Sequence, residues 1–451
     1  MKFSRSIAAP LLLALFTAGL IAGPVAPAQA GEKEPAAPKV KYKPKISFDK
    51  VAEVKSPTVV TSAPGYKKLV FVASRLGRIR VIKEGRLQPQ VMLDISSQVN
   101  TLWVEQGLLG LAFAPDFRKS GLYYVHYTSR SGDIRVDEYR VNPDKDPTLT
   151  VPGSGRNILR IPRVSESGNH NGGPLAFLGK YLYISIGDGN DPGDGLNVAQ
   201  NLESLRGKIL RIDPRPDQTA GRTYRIPPDN PFVNRPGRDE IFAYGFRNPH
   251  SFDFFKTSKE AETQMAVTDV GQSRFEELNI LPWRSAWGAN FGWKMFEGLQ
   301  PYNCGADCPN GVTPAGPFDL RWPVLTYSHK TGCAIIGGPV IEDPSLTTQV
   351  GRIIYGDFCQ NRIRSAAPSN SWLRDDRTIG SFMPPGKGEH PALNGFGEDG
   401  WGRVYAFSDF GDIYRLDQIT VRVKPKIVSC KKKPSQKRCK KKAGNKQQST
   451  N

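Results

Sequence analysis

The chain has 451 residues, a formal net charge of +19, 45 glycines and 37 prolines, enough length to bury a large core and too many turn formers for a long-helix architecture. The charge does not mark the body as a nucleic-acid binder, because 12 Lys/Arg and no acid lie from Val421 onward and two more cations, Lys2 and Arg5, lie in the leader, leaving the body near +5. No aromatic side chain interleaves the tail's lysines, so base stacking has no support, and no strand–GxGxxG–helix unit appears, which argues against a nicotinamide fold.

Residues 1–30 join Lys2 and Arg5 to an apolar run, Ile7 to Ile21, and to Ala28-Gln29-Ala30. This is the pattern of an export signal cleaved after Ala30, with an apolar run short of the ~20 residues a membrane span needs. The protein is expected to be secreted, at the cell surface or periplasmic. Residues 31–45, rich in Lys, Pro and Ala, read as a linker, and the ordered body is expected over 46–420. Residues 421–451 read as a flexible basic tail, either a contact for an anionic cell-wall polymer, lipid headgroups or nucleic acid, or simply a solvated appendage.

Within the body one pattern recurs six times: an apolar strand, a turn with Gly or Asp, and a second strand alternating basic and apolar residues. The instances begin at Lys68, Gly121, Lys180 (with a delayed partner at Gly207), Gln264, Gly351 and Gly402. Spacings of roughly 50 to 90 residues suit an all-β, six-bladed β-propeller with inserted loops; a β-sandwich pair is the rival architecture. Helical signals are scarce, a turn at Leu202 to Leu205 being the expected instance.

Six cysteines in an exported chain permit disulfides. Proximity suggests Cys304 with Cys308 and Cys430 with Cys439, leaving Cys333 with Cys359, although six cysteines allow 15 connectivities; a zinc site is the alternative.

The chemistry concentrates between Ser165 and Asp213. His170 sits in a Gly/Asn-rich loop ahead of the strand Tyr181 to Ile186, and an imidazole there can accept a proton near neutral pH. The loop after that strand carries Asp188, Asn190, Asp191 and Asp194. It reads either as a weak calcium loop or as an acidic turn ordered by its own side-chain bonds, and Asp188 and Asp191 are candidates to face a substrate. Arg247 and Asn248 pair a forked cation with an amide, suited to ligand oxygens or to an interblade salt bridge.

The segments EQGLLGLAFAPDF (from Glu105), HNGGPLAF (from His170), GKILRIDP (from Gly207), DNPF (from Asp229), EIFAYGFRNPHSFDF (from Glu240), DVGQSRFEELN (from Asp269) and NFGWKMFEG (from Asn290) together resemble the soluble glucose/sorbosone dehydrogenase family. That family uses pyrroloquinoline quinone (PQQ) on a six-bladed propeller. The resemblance runs from about Lys45 to Leu416. It implies an oxidoreductase that converts the anomeric carbon of an aldose to a lactone and passes electrons to an acceptor the sequence does not name. By the same resemblance His170 is the general base, Arg247 and Asn248 face the quinone, and the carbonyls of Gly271 and Gln272 hold calcium, Gln272 standing where the family has proline. Glu105 falls where the family places a glutamine against the cofactor, and Arg362 falls in the segment facing the PQQ carboxylates. The segments SHKTGCAIIGG and GDFCQNRIRS are similar to the hedgehog-interacting-protein-like branch, which implies as an alternative a secreted, non-catalytic propeller binding a glycan or protein. A metal hydrolase ringed by Asp188, Asn171, Asn248 and Asp269 is a third arrangement.

Overall fold

The computed structural model describes residues 42–189, 193–302, 320–369, 372–384 and 391–422. The leader, most of the expected linker, the tail beyond Arg422, Asn190, Asp191 and the cysteines 304, 308, 430 and 439 lie outside them, whereas Val421 and Arg422, expected in the tail, end a strand.

The six recurring strand pairs are the second and third strands of six antiparallel sheets. In blade 1 they are Leu69–Ser74 and Arg78–Lys83, in blade 2 Leu122–Thr128 and Ile134–Asn142, and in blade 3 Tyr181–Ile186 and Lys208–Ile212. Blade 4 has Gln264–Asp269 and Phe275–Pro282, blade 5 Ile353–Asp357 and Arg362–Ser369, and blade 6 Val404–Ser408 and Asp412–Arg422. Each pair is flanked by an inner strand: Pro57–Ser62, Leu108–Phe113, Leu175–Leu178, Pro249–Phe255, Ile335–Val340 and Leu393–Glu398, in blade order. Every inner strand contacts the next, and the sixth contacts the first, so the ring closes.

Closure is made by the chain ends. The outermost strand of blade 6 is Tyr42–Glu53, paired antiparallel with Asp412–Arg422. Residues 42–45 are therefore strand rather than linker, because Tyr42 to Lys45 pair with Arg422 to Ile419. The segment Leu202 to Leu205 forms bends and turns, not helix. Among the described residues the helices are single turns, Phe117–Ser120 and Trp283–Ala286, and no helix is long and apolar enough to cross a membrane.

The middle strands are apolar because both of their faces meet other sheets. Phe71, Ile79, Tyr123 and Val125 pack in one cluster drawn from blades 1 and 2, and Val136, Leu182, Ile184 and Ile186 pack in a second drawn from blades 2 and 3. Burying such side chains stabilises by roughly 1.5–3 kcal/mol each, which fixes the blades rigidly around the axis. Cys333 and Cys359 form a disulfide between the entry of blade 5's inner strand and the turn after its second strand.

Candidate functional site at the channel mouth

A channel with a cavity volume of about 320 Å³ runs along the axis, lined by residues of all six inner strands, among them Thr58, Leu109, Leu175, Phe252, Gly337 and Phe396. The loops entering the inner strands of blades 2, 3 and 4 bring Glu105, His170 and Asn248 together at one mouth, through hydrogen bonds across 65 and 143 residues of sequence.

His170 is buried and has φ of +51°, a left-handed conformation that costs a non-glycine residue energy and persists only where the surroundings impose it. Three bonds impose it here. Its amide donates to Glu105 Oε2 at 2.7 Å, its carbonyl accepts from the Gly189 amide at 3.1 Å, and its Nδ1 meets Asp188 Oδ1 at 2.7 Å. Gly187 makes room for this backbone, since a Cβ there would lie 2.2 Å from the His170 carbonyl oxygen.

Asp188 does not face a substrate. It lies buried behind the imidazole, with Oδ2 accepting from Trp293 Nε1 at 2.9 Å. The carboxylate places the ring proton on Nδ1 and leaves Nε2 as the acceptor nitrogen, the tautomer a general base requires. Asp194, also buried, accepts the amides of Val198 and Ala199 at 2.8 and 3.0 Å. That favours the self-ordered acidic turn over a calcium loop, and burial pushes its carboxyl up to about 6.

Arg247 and Asn248 are set by Asp269, whose two oxygens accept their backbone amides at 2.9 and 2.7 Å. Burial pushes the Asp269 carboxyl up to about 7, against the pull of those amides. The Arg247 side chain donates from Nε to Gln272 Oε1 at 3.0 Å and from Nη1 to the Val270 carbonyl at 2.8 Å, with its guanidinium 5.9 Å from the Trp293 ring centre. Asn248 donates to Glu105 Oε2 at 3.1 Å and accepts from the Gly172 amide at 3.2 Å. Glu105 is thus held by an amide N–H and a carboxamide, so its negative charge meets donors inside the site before it meets any ligand.

The segment expected to hold calcium has a defined orientation. The amides of Gln272, Ser273, Arg274 and Phe275 all donate to Glu297 Oε1, at 2.7 to 3.2 Å. In a planar trans peptide the carbonyl points opposite to the N–H it is bonded to. The Gly271 and Gln272 carbonyls are therefore both directed away from Glu297, and carbonyl oxygens are of the hard type that calcium takes. Arg247, with Nη2 beyond the bonds just described, and the second Asn248 amide hydrogen supply donors suited to an anionic quinone. The residues present fit PQQ and calcium at this mouth.

Arg362 is exposed at the start of the third strand of blade 5, and none of the hydrogen bonds above involves it. The hydrolase ring gains no support: Asp269 accepts two amides, and Asp188 is bonded to His170 and Trp293. Among the described residues the close metal-ligand grouping is Cys333, Asp357 and Cys359, where both sulfurs are spent in the disulfide. Trp293 and Glu297 carry no role in the sequence reading, although both lie in its motif NFGWKMFEG; an aromatic donor and a carboxylate in a glycine-framed motif are the signal that points to them.

A closed six-bladed propeller with an aspartate-oriented histidine beside an Arg-Asn pair at its channel mouth defines the class of this molecule. Residues 54–345 match the family model described as glucose/sorbosone dehydrogenase, and the chain belongs to that family. It is 31% identical over 370 residues to the Hedgehog-interacting protein of Mus musculus, covering 78% of this chain and 48% of that protein. The soluble aldose sugar dehydrogenase of Escherichia coli, in its apo form, shares the fold with a TM-score of 0.63 at 22% identity, over 83% of this chain and 99% of the other. The PQQ-bound aldose sugar dehydrogenase of Streptomyces coelicolor gives a TM-score of 0.60 at 22% identity, over 85% and 100%. The chain spans about half the length of the curated relatives it matches.

Proposed function

We propose that this protein is a PQQ-dependent dehydrogenase that oxidises the anomeric carbon of an aldose to a lactone. The observation that carries the reading is the His170 to Asp188 bond of 2.7 Å at the channel mouth, which presents Nε2 as a base beside Arg247 and Asn248. When bound, PQQ supplies the two-electron acceptor for the hydride leaving C1. His170 Nε2 accepts the proton of the C1 hydroxyl as the C1–H bond breaks and the C1=O bond forms, and Asp188 stabilises the imidazolium. Arg247 and Asn248 would hold the quinone oxygens, and the Gly271 and Gln272 carbonyls would hold calcium. Residues 1–30 export the protein, electrons leave to an acceptor of unassigned identity, and the basic tail rests on an anionic cell-wall polymer.

Calorimetric titration of the signal-free protein with PQQ, with and without calcium, followed by a dye-linked assay on aldoses, tests this. Calcium-dependent binding with dye reduction is expected; absence of PQQ binding in both conditions overturns the reading. The 31% identity to Hedgehog-interacting protein favours a second reading, a secreted propeller that binds a glycan or protein without oxidising it, and that outcome would direct work to it.

A further inference from the structure

Just ahead of Glu105, the channel mouth acquires an apolar lip. Leu102, Trp103 and Val104 are all exposed, Trp103 to 48% of its surface, and Val104 lines the channel beside Glu105. Exposed apolar triplets next to a polar pocket mark contact surfaces more often than isolated exposed residues do.

This lip is braced. Arg75 Nη1 donates to the carbonyls of Thr101, Trp103 and Gln106 at 3.5, 3.1 and 3.2 Å, the Trp103 amide donates to Gln106 Oε1 at 3.3 Å, and the Leu102 amide to Asn100 Oδ1 at 3.0 Å. The indole itself rests on Gly168, two residues before His170: a Cβ at Gly168 would lie 2.2 Å from Trp103 Cδ1. One side of the ring is thus seated on the loop that carries His170 while the rest meets solvent. A platform fixed in this way loses little conformational freedom when a ligand covers it.

Position decides what covers it. Trp103 lies two residues from Glu105, at most about 7 Å of backbone, and Glu105 binds the His170 amide. A pyranose whose C1 reaches His170 would carry its next glycosidic neighbour onto this lip. The C–H face of a sugar ring is apolar and matches an exposed aromatic face, and Arg163 and Glu166, exposed on the adjoining loop, offer partners for its hydroxyls. Resting on the dehydrogenase reading above, we propose that Trp103 forms a second sugar subsite and that the substrates are reducing disaccharides or longer glycans rather than free monosaccharides.

The test compares glucose, maltose and cellobiose in the dye-linked assay with PQQ and calcium, and in calorimetric titrations of the same protein without dye. The wild type should show higher kcat/KM and tighter binding for at least one disaccharide than for glucose, and W103A should reduce that preference by about tenfold, the scale of one aromatic stacking contact. W103F should keep most of it. G168A, whose new methyl displaces the indole without altering it, should reduce the preference as W103A does. Equal kcat/KM for glucose and both disaccharides, or a preference untouched by W103A and G168A, overturns the proposal. If no sugar reduces the dye, the dehydrogenase reading fails; disaccharide binding by calorimetry that is lost in W103A then still supports the subsite, and absence of any sugar binding removes it.

Discussion

Asp188 in blade 3 and Asp357 in blade 5 occupy the same place in the propeller, at or just beyond the end of the second strand, yet they hold different things. Asp357 accepts the backbone amides of Cys333, Ala334 and Cys359 and the Tyr327 hydroxyl, so it ties the entry of its own inner strand. Asp188 reaches the same entry in blade 3 and meets an imidazole instead. The position is used in every blade: Ser74 donates to the Lys55 carbonyl, Thr128 accepts from the Gly107 amide, Asp269 accepts from Arg247 and Asn248, and Ser408 donates to the Pro391 carbonyl. A structural tie repeated around the ring becomes a base-orienting group where the entry loop offers a histidine side chain.

The contrast can be broken at several depths. H170A should lower dye-linked turnover by at least about a thousandfold, within the range for loss of a general base, while calorimetry still finds PQQ bound and the melting temperature stays near wild type; retained turnover would remove His170 from the base role. D188N should cost roughly a hundredfold in kcat with little change in KM, since it disturbs the imidazole without removing it. D357A, by contrast, should leave kcat within about twofold and cost about 1–3 kcal/mol of stability, because buried amides lose their acceptor; thermal unfolding reads this as a drop of a few degrees.

Asp269 sharpens the comparison through pH. Its carboxyl is raised from 3.8 to about 7, so between those values the folded state holds a proton that the unfolded chain has released. Stability from this group is complete below pH ~4 and is lost as pH rises through ~7. Chemical denaturation from pH 4 to 8 should show that decline in the wild type and a flatter profile in D269N. R362A should have the smallest effect, within ~0.5 kcal/mol of stability for an exposed side chain and less than threefold in PQQ affinity by calorimetry; a larger loss of affinity would place Arg362 in the site.

The sequence determined the architecture because its signals are local. Period-2 alternation in segments such as Arg78 to Ile82, turn glycines and six repeats of one strand pair are written in consecutive residues, and each pair became the middle of a blade. His170 was legible as a reactive residue from its small neighbours, and Arg247 with Asn248 from the pairing of a forked cation with an amide. What faces what was not legible. The bond from Glu105 to Asn248 spans 143 residues, and that from Asp188 to Trp293 spans 105. Only ring closure by Tyr42–Glu53 against the last strand brings the blades into the order that makes such contacts. The same closure turned Asp188 from a substrate-facing acid into the support of an imidazole and set Trp103 on Gly168, because side-chain chemistry is fixed by residue type while its direction is fixed by the packing of neighbouring sheets.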